Sequence, residues 1–185
     1  MIGQLPTSLI IDGKEYPIRT DYRVALMIFE AYNDPNLSDY TKNRICLECL
    51  FKDIPVNIQT ALEKAFWFLD GGDAPKSKPL PVKVIDWEQD QYLIFPELNK
   101  AAGFNVRTVD YLHWWDVLGF FNIIGDGLLA QVLNIRTKRA KGKPLEKWEI
   151  EFLNSHKDFV NIKEKLSEKE KAELDAEDSF INSLI

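Results

Sequence analysis

The stretch YLHWWDVLGFF at positions 111–121 contains the residues of this 185-residue chain best suited to chemistry. His113 lies three positions before Asp116, three positions after Asp110, and next to Trp114. A histidine near a carboxylate can act as a general base, and paired indoles can stack on a sugar or a nucleobase. Catalysis also needs a nucleophile, an oxyanion site and a cleft, and the pattern identifies none of them. We therefore favour structural packing, with a partner contact and catalysis as the alternatives.

A helix must hold these residues in place, and we expect it to begin at Thr108. On such a helix Asp110, His113 and Asp116 share a sector of about 120°, where the carboxylates favour a charged histidine at the surface or at an interface. The rest of the circumference is apolar, which is typical of a central helix. The predicted core side chains are Trp114, Trp115, Leu118 and Phe121, together with Trp148 and Phe152 of a later helix.

The only two cysteines of the chain, Cys46 and Cys49, form a C-x-x-C pair. This spacing occurs in redox pairs and in zinc sites. A redox thiol needs a helix N-terminus or a cation beside it, but these two fall in the middle of a predicted helix. Zinc would need two more ligands, and the only histidines, His113 and His156, lie far along the chain. We interpret both cysteines as unreactive core residues and predict neither a metal nor a cofactor.

Two charged segments remain as candidate docking surfaces. Residues 136–147 hold six cations against one anion, at the predicted end of a helix, where the helix dipole also favours cations. Residues 163–178 hold four cations against seven anions, and the chain ends in FINSLI. Both segments are interpreted as solvated, and the alternative is partner binding, including the basic segment with the acidic tail of another copy. The candidate partner-binding residues are Arg136, Lys138, Arg139, Lys141, Lys143, Phe180, Ile181 and Leu184.

The composition limits the classes of function. The net charge is −6, so nucleic acid is a poor default partner, because phosphate binding needs a concentrated positive face. The first residues lack the basic and apolar regions of a signal peptide, so we do not predict one. Polar residues interrupt the most apolar stretch, 109–135, and this interruption argues against a membrane span. We expect a soluble, cytoplasmic protein.

Turn signals and helical periodicity predict the fold. Residues 8–19, SLIIDGKEYPIR, carry Asp-Gly between two extended runs and predict a β-hairpin. The predicted helix starts are Thr20 or Asp21, Ser38, Asn57, Asp86, Thr108, Leu128 and Pro144, with a kink or a break at Pro96. We predict a mainly α protein, an orthogonal bundle of six to seven helices with the hairpin and a charged C-terminal helix or tail. Residues 1–162 form one domain with a Pro-rich linker at 71–83, and residues 163–185 form the tail.

Several segments resemble one family of phage proteins. They are TDYRVALMIFEAYND, ALEKAFWFLDGGD, WEQDQYLIFPELNKAAGFNV and, most specifically, LHWWDVLGFF, followed by NIR before a lysine-rich segment. In this order they are similar to the gene product fifteen family of temperate phages of Gram-positive hosts, over about residues 9–159. GFNV at 103–106 departs from the family, which has a YGID-like segment there.

The resemblance implies a small, non-enzymatic tail morphogenesis protein, because the family has no catalytic residues to transfer. Proteins of this kind look like tail assembly chaperones, which keep the long, helical tape-measure protein soluble until the tail tube forms around it. A structural virion component, such as a head–tail or tail-completion protein, is the first alternative. A nucleic-acid-binding phage regulator that uses the basic segment is the second. The implied partners are the tape-measure protein or other tail proteins, and further copies of the chain.

Overall fold

The computed structural model describes residues 3–72 and 82–183, with side chains up to residue 176. A hairpin comes first, with β1 at Ser8–Ile11 and β2 at Lys14–Pro17. Within the described residues the helices are α1 (Tyr22–Asn33), α2 (Asp39–Leu50), α3 (Ile58–Leu69), α4 (Gln91–Ala102), α5 (Trp114–Asn122), α6 (Leu128–Ala140), α7 (Lys147–Ser155), α8 (Lys157–Val160) and α9 (Glu168–Ser183). The predicted fold class, mainly α with an N-terminal hairpin, is confirmed. The predicted linker at 71–83 lies mostly at 73–81, outside the described residues.

The hairpin closes through the predicted Asp-Gly turn. Asp12 has φ 50° and Gly13 has φ 78°, the left-handed conformations that a two-residue hairpin turn requires. The register pairs Ile11 with Lys14 and Ser8 with Pro17. Alternation along β1 directs Leu9 and Ile11 into the core and leaves Ile10 exposed. Two strands alone are marginally stable, so the packing of this apolar face on α3 is what stabilises the hairpin.

The first three helices begin at the predicted caps. The side chains of Asp21, Ser38 and Asn57 each accept a hydrogen bond from a backbone N–H in the first turn of α1, α2 and α3. Such caps satisfy N–H groups that have no partner within the helix. Local side-chain chemistry therefore sets where these helices start.

The core is continuous and brings both halves of the chain together around α5. Helix α5 packs on α1 and on α4, and α4 in turn packs on α6. Trp114 on α5 is almost fully buried and makes edge contacts with Phe29 and Trp87. Among the described helices, none is both long enough and apolar enough to cross a bilayer.

The start of α5 differs from the prediction, which placed it at Thr108. The segment before Trp114 is extended and pairs with the start of α1 through an antiparallel bridge between Asp21 and His113. Leu112 N–H donates to the carboxylate of Asp21, and Trp114 N–H donates to the carbonyl of Thr20. These long-range bonds compete with helix formation, and α5 begins only where they end.

Helix α4 also starts later than predicted. The Asp86 carboxylate accepts from the N–H groups of Glu88 and Gln89, so it caps a turn, and α4 begins at Gln91. Of the two alternatives predicted at Pro96, a kink or a break, the break is absent, because α4 continues through it to Ala102.

The segment predicted to start a helix at Pro144 forms two helices instead. Glu146 is the N-cap of α7 and forms a capping box with Glu149, so α7 begins at Lys147. His156 then separates α7 from the single turn of α8. The prediction of one helix starting at Pro144 is therefore wrong.

Candidate functional site

The aromatic cluster of α5 is a packed centre. The indole N–H of Trp114 donates to the carbonyl of Leu69 at 2.8 Å, and that of Trp115 donates to the carbonyl of Phe68 at 2.8 Å. Both acceptors are carbonyls of the last turn of α3, where helix carbonyls lack partners within the helix. The indoles thus join α5 to α3. The core prediction is confirmed for Trp114, while Trp115, Leu118, Phe121 and Phe152 are partly buried against the core.

Trp148 does not belong to the core, so its prediction is wrong. Its side chain is 47% exposed, and its indole N–H donates to the carboxylate of Glu146 at 2.8 Å. The reason is the rotation of α7, which turns Glu149 inward to the Nζ of Lys138 at 2.6 Å. Glu149 is fully buried, and the hydrogen bond from Lys138, followed by that from the N–H of Glu146, holds the pKa of its carboxyl below the usual range.

His113 is the N-cap of α5 and is 3% exposed. Its Nδ1 accepts the N–H of Trp115 at 3.0 Å, and its Nε2 lies 3.0 Å from the carbonyl oxygen of Pro6. A carbonyl only accepts, so Nε2 must donate, and the imidazole is neutral with its proton on Nε2. The predicted charged surface histidine is therefore wrong, because both ring nitrogens are used inside the protein and neither is free to take a proton from a substrate.

The C-x-x-C pair lies on α2, as predicted. Cys46 is buried and Cys49 is partly buried, and both are free thiols. Burial raises the pKa of the Cys46 thiol to about 12, with the hydrogen bond to Tyr32 opposing it, and burial also raises the pKa of Cys49. A thiol with a raised pKa is a poor nucleophile. The described residues contain no group of three or more His, Cys, Asp or Glu side chains placed to hold a metal ion.

Arg136, predicted as a partner-binding residue, is buried and only 6% exposed. It forms a bidentate ion pair with Asp90 at 2.6 and 2.8 Å. The remaining N–H groups donate to the carbonyls of Val84, Phe159 and Val160, so all five donors of the guanidinium have acceptors. Arg136 is thus a structural connection between α4, α6 and α8, and the accessible basic surface does not include it.

The other cations of the segment lie at the C-terminal end of α6. Lys138 pairs with Glu149 and Glu146. Arg139 is exposed and donates to the side-chain oxygen of Asn161 at 2.8 Å. The remaining predicted residues fall elsewhere: Lys141 and Lys143 are exposed in the turn after α6, Phe180 and Ile181 lie on α9 where side chains are not described, and Leu184 lies outside the described residues.

A groove of about 660 Å³ lies beside Arg139. Its charged lining is five cations and two anions: Lys83, Arg136, Arg139, Lys163, Lys165, Asp86 and Glu164. One wall is the segment 160–165, which Gln89 fixes by accepting from the N–H of Lys163 and donating to its carbonyl. Lys165 pairs with Glu88, and Lys83 pairs with Asp86. We call this lining, with Lys141 and Lys143, the basic groove.

Asp86 contributes a fixed negative charge to the basic groove. Its burial raises the pKa of the carboxyl, but the hydrogen bonds from Lys83 and from the N–H groups of Gln89 and Glu88 outweigh burial, so the net pKa is lowered. Sequence reasoning missed Asp86 and the 160–165 wall, because the groove joins segments more than 70 residues apart. No local pattern signals such a contact.

A second exposed surface is apolar and was also missed. Ile54 and Val56 in the segment between α2 and α3, and Ile58 at the first position of α3, occupy alternate positions and are 47%, 94% and 47% exposed. Between them Pro55 is buried, and the side-chain amide of Asn57 donates to the carboxylate of Asp12 in the hairpin turn at 2.9 Å. We call these three side chains the apolar loop. Its sequence signal was the alternation of aliphatic residues around Pro55, just before the cap of α3.

Comparison with known proteins adds one finding. The family described as Bacteriophage Gp15 protein matches residues 1–162 of this chain. The searches of curated proteins and of solved structures gave no significant match.

Proposed function

The chain belongs to the bacteriophage Gp15 protein family, and on that premise we propose that it is a non-enzymatic tail assembly chaperone that binds the tape-measure protein in the host cytoplasm. Membership in the family indicates a phage structural or morphogenesis protein, with partners among phage proteins. The chaperone role and the tape-measure partner are the proposal. The proposal that the protein is not an enzyme is supported by His113, since both of its ring nitrogens form hydrogen bonds within the fold.

The apolar loop is the observation that supports binding to an aggregation-prone partner. Contiguous exposed apolar side chains on a monomer are typical of sites of protein–protein contact. The loop is held at two points, by the buried Pro55 and by the hydrogen bond between Asn57 and Asp12, so little conformational entropy is lost on binding. A long helical partner with an apolar face can pack on such a surface. The net charge of −6 keeps the resulting complex soluble.

Co-expression with the tape-measure protein of the same phage tests the proposal. The wild-type chain is expected to move the tape-measure protein from the pellet into the soluble fraction. The triple variant Ile54→Ser, Val56→Ser, Ile58→Ser should lose this effect. Tyr92→Ser is the matched control, because Tyr92 is 76% exposed on α4 and distant in sequence from the loop. Exposed substitutions of this kind change stability by about 0.5 kcal/mol or less, so both variants should fold.

Two outcomes would contradict the proposal in different ways. If the tape-measure protein is equally soluble with and without the wild-type chain, the chaperone function is wrong. If the triple variant works as well as the wild type, the binding surface is wrong.

Mass spectrometry of purified virions separates the chaperone from a structural virion component, since the chaperone is expected to be absent from mature particles. The third interpretation, a nucleic-acid-binding regulator, has lost Arg136 from its predicted basic surface, because that side chain is buried.

A further inference from the structure

Helix α9 projects from the fold with little support. Every side chain from Glu168 to Ala176 is exposed, including Leu174 at 46%. Among the described residues, the hydrogen bond from the Glu168 N–H to the side chain of Asn36 ties the start of α9 to the turn after α1. An isolated helix of 16 residues is marginal in water. The described side chains of α9 therefore give it little packing within the single chain, and a contact with another molecule would stabilise it.

The charge of α9 indicates what that contact must be. Residues 168–178 hold six acidic residues against two lysines. Lys169 and Lys171 pair within the helix with Glu173 and Glu168, which leaves Glu170 and Asp175 without an ion pair among the described residues. The exposed surface of α9 therefore carries a net negative charge, and a surface complementary to it must be basic.

The basic groove provides such a surface. Within the described part of the chain, Arg139, Lys141, Lys143 and Lys163 form no ion pair, so their charges are available to an incoming anionic segment. In a chain of net charge −6, these unpaired cations are grouped at the end of α6 and on the facing wall of the groove. The groove is open and about 660 Å³ in volume, which accommodates side chains of a helix laid across it.

The groove cannot be filled by the α9 of its own chain. Lys165 lines the groove, and only Leu166 and Ser167 separate it from the first residue of α9. The capping box between Ser167 and Glu170 fixes the direction in which the helix leaves. Two residues do not allow a rigid helix to reverse onto the wall from which it has just departed.

We propose that α9 of one copy binds in the basic groove of a second copy. The contact is head to tail, because it joins two different surfaces, and repetition of it gives rings or open chains of molecules. Self-association of this kind goes beyond the proposed function and needs no tape-measure protein. It would place many apolar loops on one assembly, which increases avidity for a long partner without any new contact.

Sedimentation velocity of the purified full-length chain tests the proposal. The wild type should show an average mass that rises with protein concentration and falls with added salt, since salt screens the contact between exposed charges. The groove variant Arg139→Glu, Lys163→Glu and the helix variant Glu173→Lys, Asp175→Lys should each weaken association by about tenfold or more, because attraction becomes repulsion. The control variant Lys52→Glu, Lys64→Glu makes the same change in net charge as the groove variant, but on α3 and the segment before it, and should associate like the wild type.

Mixing the two charge-reversed variants is the decisive experiment. The unaltered α9 of the groove variant can enter the unaltered groove of the helix variant, so association should return in the mixture. A wild type that stays monomeric at all concentrations overturns the proposal, as does a mixture in which association does not return. Equal loss in the control variant also overturns it, because the effect would then come from net charge alone. Since the tape-measure protein is absent throughout, failure here leaves the chaperone proposal standing, and the converse also holds.

Discussion

Two regions of the molecule are held together by different kinds of contact. The first region comprises the hairpin, α1, α2 and α3, and neutral contacts hold it to α5. The second region comprises α4, α6, α7 and α8, and buried charges hold these helices to one another. In the first region the indoles of Trp114 and Trp115 donate to carbonyls, and neutral His113 caps α5. In the second region Arg136 pairs with Asp90, and Glu149 pairs with Lys138. Neutral contacts lose a modest free energy when one is removed, while a buried charge left alone costs much more.

The two regions also differ in what they leave at the surface. In the second region Arg136 and Lys138 form ion pairs. The neighbouring cations form none among the described residues, and they are Arg139, Lys141 and Lys143. The first region leaves an apolar surface, the apolar loop. Each region therefore presents a different kind of surface for contact, and neither surface overlaps the aromatic centre around Trp114.

The largest expected effect comes from the buried ion pair. Arg136→Ala leaves the Asp90 carboxylate buried without its partner and frees three backbone carbonyls, which should lower the free energy of unfolding by about 3–5 kcal/mol. Urea denaturation monitored by tryptophan fluorescence measures this loss. Arg139→Ala is the control, since Arg139 is exposed, and it should change stability by about 0.5 kcal/mol or less. Equal losses in the two variants would mean that the ion pair does not join these helices.

A smaller, pH-dependent effect is expected at Glu149. Because the pKa of its carboxyl is lowered in the folded protein, its contribution to stability is present above the unfolded pKa of about 4.3 and is lost as the pH falls through the folded value. Glu149→Gln should therefore be less stable than the wild type at pH 7, and the gap should close on acidification. Urea midpoints for both proteins from pH 7 to pH 3 check this. A gap that stays constant would show that the charge of Glu149 does not contribute.

His113 should show the cost of a helix cap. His113→Ala removes the acceptor for the Trp115 N–H and the hydrogen bond to Pro6. It should lower the free energy of unfolding by about 1–2 kcal/mol. His113→Asn keeps a side-chain acceptor at the cap position and should recover part of this loss. Thermal unfolding of the three proteins gives the comparison. If Asn is as damaging as Ala, capping is not the role of this residue.

The smallest effect is expected at Trp148, which is 47% exposed at the edge of α7. Trp148→Phe removes the bond to Glu146 and should change the free energy of unfolding by about 0.5 kcal/mol or less. Trp114→Phe is its buried counterpart and should cost several times more, because the N–H bond to Leu69 and the packed volume are both lost. If the Trp148 variant were as unstable as the Trp114 variant, the side chain of Trp148 would have to be part of the core.

The sequence predicts the contacts between residues that are close along the chain, but not the contacts between residues that are far apart. The cap side chains of Asp21, Ser38 and Asn57 lie within three residues of the backbone N–H groups that donate to them, so local reasoning located them. Asp90 and Arg136 lie 46 residues apart, and neither residue signals that the other will be buried beside it. The misplaced start of α5 has the same origin, since the bond between Leu112 and Asp21 spans 91 residues.

The candidate surfaces were harder to predict than the fold. The basic segment was visible as charge, but which of its cations remain accessible depends on the carboxylates of Asp90 and Glu149, brought by other parts of the fold. The position of Trp148 depends on the rotation of α7 about its axis, which the burial of Glu149 decides. Periodicity predicts that a helix has an apolar face but does not predict which residue at its edge stays in solvent.

The most direct test is plaque formation by a phage that lacks this gene and is complemented from a plasmid. The central claim is that the aromatic centre only builds the fold and that the apolar loop performs the function. Accordingly, His113→Asn should restore plaques at the wild-type level, and the folded triple variant Ile54→Ser, Val56→Ser, Ile58→Ser should not. Full complementation by the triple variant, together with loss of plaques for a stably folded His113→Asn, would contradict the account.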